Sequence, residues 1–159
     1  MGEYLVGAYL KVIEGCGFVD YNVRFPGGGL KGLEELDVIG FNFEPSVAIL
    51  CEVTTHIRGI LYKDNPTTVA RIAAKFENQK RYAEEQLGHL KRHRFMLWSP
   101  VVPKGYITEN LARIQGLELI INEEYARRID RLSQLARTTT HEVGNPAFRL
   151  LQILEHMRR

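Results

Sequence analysis

Apolar residues recur at helical spacing over residues 3–14, with Leu5, Ala8, Tyr9, Val12 and Ile13 on one side and Val6 and Leu10 beside them. This pattern predicts a largely buried helix. Gly15 and Gly17 end it, and residues 18–24, rich in aromatic and β-branched side chains, read as a short strand. A Gly-rich turn at 26–29 leads to two further strands, 36–41 and 47–54. The second is a nearly unbroken apolar run, Val47-Ala48-Ile49-Leu50-Cys51, that closes on Glu52, as suits a central strand buried on both faces. Asn65-Pro66 opens a long helix with Val69, Ile72, Phe76, Ala83 and Leu87 in one stripe, and Gly88 ends it. Residues 94–98 form another apolar strand, 108–113 a short helix and 117–121 a last strand, with Pro100 and Pro103 in the loop between. Asn122 with Glu123 and Glu124 makes a capped helix start, followed by an inner stripe of Tyr125, Ile129, Leu132 and Ala136. Asn145-Pro146 starts a final helix in the same way.

The order of helix, three strands, helix, strand, short helix, strand and two helices predicts an α/β fold, a mixed central β-sheet flanked by helices on both faces. A chain of 159 residues closes one core without disulfides or structural metal, so residues 1–159 are expected to form a single domain. Its core spans about 2–121, and a helical pair occupies 122–159. Hydrophobic residues at 45% and charged residues at 25% exclude disorder and fibrous repeats. No apolar run approaches the roughly 20 residues of a membrane helix, and no basic leader follows Met1, so a cytoplasmic protein without a membrane partner is expected. Cys16 and Cys51 lie far apart with no CxxC spacing and read as buried thiols. A net charge of +2 permits a nucleic-acid partner without requiring one. The run Gly27-Gly28-Gly29 is a turn and not a phosphate loop, because no GK[ST] follows it.

The candidate chemistry lies in two strands. Asp37 sits inside an apolar strand and Glu52 at the C-terminal part of the next. Buried carboxylates are costly unless they are paired or bind metal. Pairing the two strands would bring both to one end of the sheet, where they could supply oxygen ligands to Mg²⁺ or Mn²⁺. The plainer reading of the same spacing is two surface carboxylates paired with Arg or Lys.

Glu3 opening the first helix, Leu36-Asp37-Val38-Ile39-Gly40 on a strand, and Ile49-Leu50-Cys51-Glu52-Val53-Thr54 on the next together resemble the PD-(D/E)xK nuclease superfamily. The superfamily includes Holliday-junction resolvases and restriction endonucleases, and the likeness covers roughly residues 2–90. It implies a restriction-endonuclease-like core and a Mg²⁺- or Mn²⁺-dependent endo- or exonuclease acting on nucleic acid, DNA foremost. It also implies that Asp37 and Glu52 are the metal carboxylates, and that Glu3 matches the first-helix glutamate of the resolvase-like branch. Thr54 stands where the family's lysine is usual, and threonine cannot replace an ammonium. Some members carry a substitute on the following helix.

Counting about 100° per residue from Phe76 puts Lys75, Gln79, Tyr82 and Gln86 in one polar band beside the apolar stripe. Lys75, or failing that Lys80, would then supply the missing charge, with Gln79 beside it. Gln79 and Tyr82 are also similar to a Gln and Tyr that RecB-type nucleases carry on this helix. An ordinary solvated helix edge is the alternative. His56 follows the acidic strand and reads first as a loop residue. Arg58, Lys63 and Arg71, with Lys91, Arg92, His93 and Arg94, would make a basic rim for phosphates if they converge. Tyr4, Tyr9, Tyr21, Tyr62 and Trp98 suit core packing better than base stacking. Two other readings stand beside the nuclease: a catalytically inactive nuclease-like module that binds nucleic acid or a protein, and a structural subunit. The last two helices offer a homodimer surface compatible with each.

Overall fold

The computed structural model describes residues 1–26 and 35–158, so the Gly-rich turn expected at 26–29 lies outside the described residues apart from Pro26. Five strands form one sheet in chain order: β1 (Phe18–Arg24), β2 (Glu35–Asn42), β3 (Val47–Val53), β4 (Arg92–Ser99) and β5 (Leu117–Ile121). β1, β2 and β3 pair antiparallel as a meander, while β4 runs parallel to β3 and β5 parallel to β4. Parallel neighbours need a crossover, and α2 (Asn65–Gln86) and α3 (Tyr106–Leu111) supply the two required. The sheet is therefore mixed. All seven β3 residues are buried, as its unbroken apolar run requires of a strand covered on both faces.

Three further helices lie among the described residues: α1 (Gly2–Val12), α4 (Asn122–Thr138) and α5 (Pro146–Met157). On one face α1 sets Val6, Tyr9 and Leu10 against Val38, Ile49, Cys51, Met96 and Trp98, and Tyr125 and Ile129 of α4 join the same cluster. α5 forms a layer behind them, closing Phe148 on Ala8, Leu132 and Ala136. The helical pair expected after residue 121 is thus divided in role, since α4 packs on the sheet and α5 on the helices. The opposite face belongs to α2 and α3, through Ala83 and Leu87 over Leu36, Ile39 and Leu50, and through Ile72, Ile107 and Leu111 around Leu97. Among the described residues no helix is long and apolar enough to cross a membrane.

Caps fix where two of these helices begin. Asp64 Oδ1 accepts the Thr67 N–H at 2.8 Å and starts α2, with Pro66 in its first turn. Asn145 Oδ1 accepts the Phe148 N–H at 2.9 Å and starts α5, while its amide donates to Tyr4 O and Tyr21 Oη. One side chain thereby ties α5 to α1 and β1. The cap expected from Asn122 is not made. β5 runs directly into α4 there, and Asn122, at φ 51°, turns its amide to the N–H and C=O of Val102, at 2.8 and 3.0 Å. Glu123 and Glu124 still place acidic charge in the first turn.

The first helix lies close against β1 because Gly7 has no side chain. A Cβ at Gly7 would stand 2.6 Å from Tyr21 Cζ. Gly7→Ala should therefore lower stability in urea unfolding by about 1–3 kcal/mol. Adding Tyr21→Ala should recover part of that loss, and a neutral Gly7→Ala would show that the α1–β1 contact is loose.

Candidate active site

The β2–β3 ladder ends at the pair Val38 and Cys51. One residue further out stand Asp37 and Glu52, on the strand ends that open there. Asp37 Oδ2 accepts the Val53 N–H at 2.7 Å, so the carboxylate satisfies a backbone group that the separating strands leave unpaired. Glu52 has the same parity along β3 as Ala48 and Leu50, whose side chains pack under α2, and it is 8% exposed. Nearly three turns into α2, Lys75 brings its ammonium onto Glu52 Oε1. The two carboxyl groups are close enough that each alters the other's titration.

Electrostatics follow from that crowding. Burial, and after it the Asp37 charge, push the Glu52 carboxyl up to about 7, against the pull of Lys75. Asp37 is raised as well, chiefly by burial, with the Val53 N–H and Lys75 opposing. Burial works against the Lys75 ammonium, but Glu52 and Asp37 outweigh it and hold the lysine charged above its ordinary range. Near neutrality the cluster holds a fixed cation, an anion and a carboxyl poised to lose its proton.

Two more polar groups face inward nearby. Gln79 lies one turn beyond Lys75 on the same side of α2 and is 2% exposed, and neither of its side-chain polar atoms has a hydrogen-bond partner. Thr54, two residues beyond Glu52, has a buried hydroxyl in the same condition. Buried polar groups without partners are rare, and here two flank a charged cluster. Glu3 stands to one side. Its Oε2 binds the Met1 ammonium at 3.1 Å, yet its charge still reaches Asp37 and raises it. Its own carboxyl is held low, first by its backbone hydrogen bond. Among the described residues no third His, Cys, Asp or Glu joins Asp37 and Glu52 as a metal-binding group.

Of the two lysines considered on α2, Lys75 is the one that reaches Glu52. Lys80 instead pairs with Glu77 at 2.6 Å and lies over the Phe76 ring. Tyr82 departs from the expected band, packing edge-on against Phe25 near the β1 end, and Gln86 is exposed at the foot of α2. The basic rim also divides. Lys91, Arg92, His93 and Arg94 lie at the far end of the sheet, where Arg92 pairs with Val47 and Arg94 with Ile49, and Glu14 and Glu118 hold the Arg94 guanidinium. Parallel pairing of β3 and β4 puts the start of β4 opposite the end that carries Glu52, so these cations cannot converge on it. Arg58, Lys63 and Arg71 belong to the near side, with Arg71 stacked 4.5 Å over Tyr62. His56 is exposed in the loop, while Tyr9 and Trp98 are core residues in edge contact. Missing from the sequence reading were the Val53 N–H as a partner of Asp37 and Tyr62 as a neighbour of Lys75. The only sequence signal for the first was an acidic residue at the position where a strand pair ends.

The donor set suits a hard divalent cation. Carboxylate oxygens are the ligands that Mg²⁺ and Mn²⁺ prefer, and Mg²⁺ usually keeps several waters, so one or two carboxylates suffice. Asp37 and Glu52 are the residues that would hold such an ion. The residues fit the ion.

Because the folded protein holds the Glu52 proton more tightly than the unfolded chain, its stabilising contribution is complete below about pH 4.5 and disappears as pH rises through about 7. Metal-free protein should therefore melt several degrees lower at pH 8 than at pH 5, and Glu52→Gln should flatten that profile. A wild-type profile no steeper than that of the variant would contradict a buried Glu52 carboxyl raised by its surroundings.

Comparison of the chain with protein-family models, curated proteins and solved structures finds no significant match, so geometry alone carries the functional reading.

Proposed function

We propose that the chain is a metal-dependent phosphodiesterase of the PD-(D/E)xK kind that hydrolyses nucleic acid, DNA foremost. The observation that carries this reading is the Lys75 ammonium, delivered by α2 onto Glu52 beside Asp37 at an open sheet end. That is where a lysine relocated from position 54 has to stand. A divalent ion held by Asp37 and Glu52 would activate water and offset phosphoryl charge. Lys75 supplies a fixed positive charge within reach of the attacking water and of the charge that develops on phosphorus. Gln79 offers a buried amide that can donate to one oxygen and accept from another. In this reading the enzyme works in the cytoplasm and, where both strands of a duplex are cut, as a homodimer through α4 and α5. Leu150, Ile153, Leu154 and Met157 stand exposed along α5 at helical spacing, as such an interface needs.

One observation favours an inactive binding module instead: Thr54 leaves the strand without its lysine, and Lys75 already neutralises part of the Glu52 charge without a metal. Cleavage assays separate the two. Tag-free protein should cut duplex, branched or single-stranded substrates with Mg²⁺ or Mn²⁺, and Asp37→Ala should abolish this. Lys75→Ala should lower the rate by about 10²-fold or more in protein that circular dichroism shows still folded and that still binds, though it melts lower than wild type, whereas Lys80→Ala should have no effect. Metal-dependent cutting that survives Lys75→Ala would refute the relocated lysine, and no cutting by the wild type on any substrate would leave the binding module as the account.

A further inference from the structure

The loop between β3 and α2 presents an apolar side chain where loops rarely do. His56 O accepts the Gly59 N–H at 3.1 Å and closes a β-turn with Ile57 and Arg58 at its tip. Such tips favour Gly, Pro, Asn, Asp and Ser, yet Ile57 is there and is 83% exposed. It is not solitary, because Leu61 and Val101 are also exposed along this edge. The turn is held from both sides. Thr54 N–H donates to Trp98 O before it; after it Ile60 is fully buried, with its N–H on Val101 O. Tyr62 N–H then bonds Thr68 Oγ1, whose hydroxyl donates to Asp64 O. Gly59, at φ 100°, packs against Pro103 and Val101. The tip is thus a short projection on a pinned base.

The charge around it is one-sided. Arg58 shares the tip, Lys63 follows and Arg71 stacks on Tyr62, while the one acid of residues 54–64, Asp64, is engaged as the α2 cap. Ile57 lies five residues past Glu52, no more than roughly 17 Å along the chain, so the tip stands near the Asp37–Glu52 end of the sheet. We infer that Ile57 is a wedge that inserts between stacked bases beside the Asp37–Glu52–Lys75 site, with Arg58 and Lys63 on the flanking phosphates. This rests on the nucleic-acid reading proposed above. An apolar side chain forced between base steps unstacks and kinks a duplex, and Ile is among the residues that do so. The preferred substrate is then a duplex that opens at the cut, or nucleic acid already open there.

The test uses the full chain with a duplex carrying 2-aminopurine, whose fluorescence rises on unstacking, and the same sequence with a preformed bubble. With metal chelated, wild type should raise the fluorescence of the duplex. Ile57→Ala should bind within about threefold of wild type but lose most of the rise, and Ile57→Phe should keep it. With Mg²⁺, Ile57→Ala should cut the duplex roughly tenfold more slowly and the bubble at the wild-type rate. Its melting temperature should match wild type, since the side chain is mostly in solvent. An unchanged fluorescence rise and an unchanged duplex-to-bubble ratio would overturn the wedge and leave the nuclease standing, as a turn that docks a protein would give. An equal loss on both substrates would also overturn it, marking Ile57 as a general affinity contact. A wild type that neither binds nor cuts any nucleic acid would remove the proposed function and the wedge with it.

Discussion

Glu52 is held out of water between a second carboxylate and an ammonium, and the placement of the surrounding elements follows from that requirement. Two unit charges about 4 Å apart near a protein surface interact with roughly 4 kcal/mol, enough that no member of the cluster is neutral in its effect on the others. Removing one partner from such a group leaves an uncompensated buried charge, which costs more than the group contributes when whole. Lys75 must therefore arrive at the level of Glu52, which sets the register of α2 against β3. The Asp64 cap and the Thr68 contacts with Tyr62 and Asp64 fix the start of that helix, and Ile72, Phe76 and Ala83 fix its face. Asp37 must in turn stand where the β2–β3 ladder opens, since only there does it meet both the Val53 N–H and the Glu52 carboxyl.

The same geometry explains what could be read from the sequence. Long periodic stretches survive translation into structure because one face has to be buried, so α1, β3, α2 and α4 were all visible, and with them the α/β class. The acidic pair was visible because a carboxylate ending an apolar run is costly anywhere but at a site or an ion pair. Lys75 came from helical counting, which is reliable for a residue one position from the centre of a buried stripe. Counting along the same band misled for Tyr82 and Gln86, because by that depth α2 has passed the acidic pair and faces the β1 end and solvent. The basic rim failed for a topological reason: adjacency in sequence to a strand says nothing about which end of the sheet that strand begins on. Asn122 failed because a strand running into a helix without a loop turns the side chain toward a neighbouring loop.

Glu3 and Thr54 show how far local argument extends. The inward stripe of α1 brings Glu3 to the correct side of the sheet, where its charge raises the Asp37 carboxyl. Thr54 reads in the sequence as a missing lysine. In the fold it is also a buried hydroxyl without a partner, matched by Gln79 across the cluster.

Calorimetric titration of Mn²⁺ into the metal-free protein at pH 7 reads the Asp37–Glu52 site itself. One ion should bind per chain, with protons released as the raised Glu52 carboxyl ionises, visible as an enthalpy that changes with the ionisation enthalpy of the buffer. Asp37→Asn should abolish the binding. Absence of binding by wild type, or binding that Asp37→Asn leaves unchanged, would contradict a metal site at the Asp37–Glu52 pair.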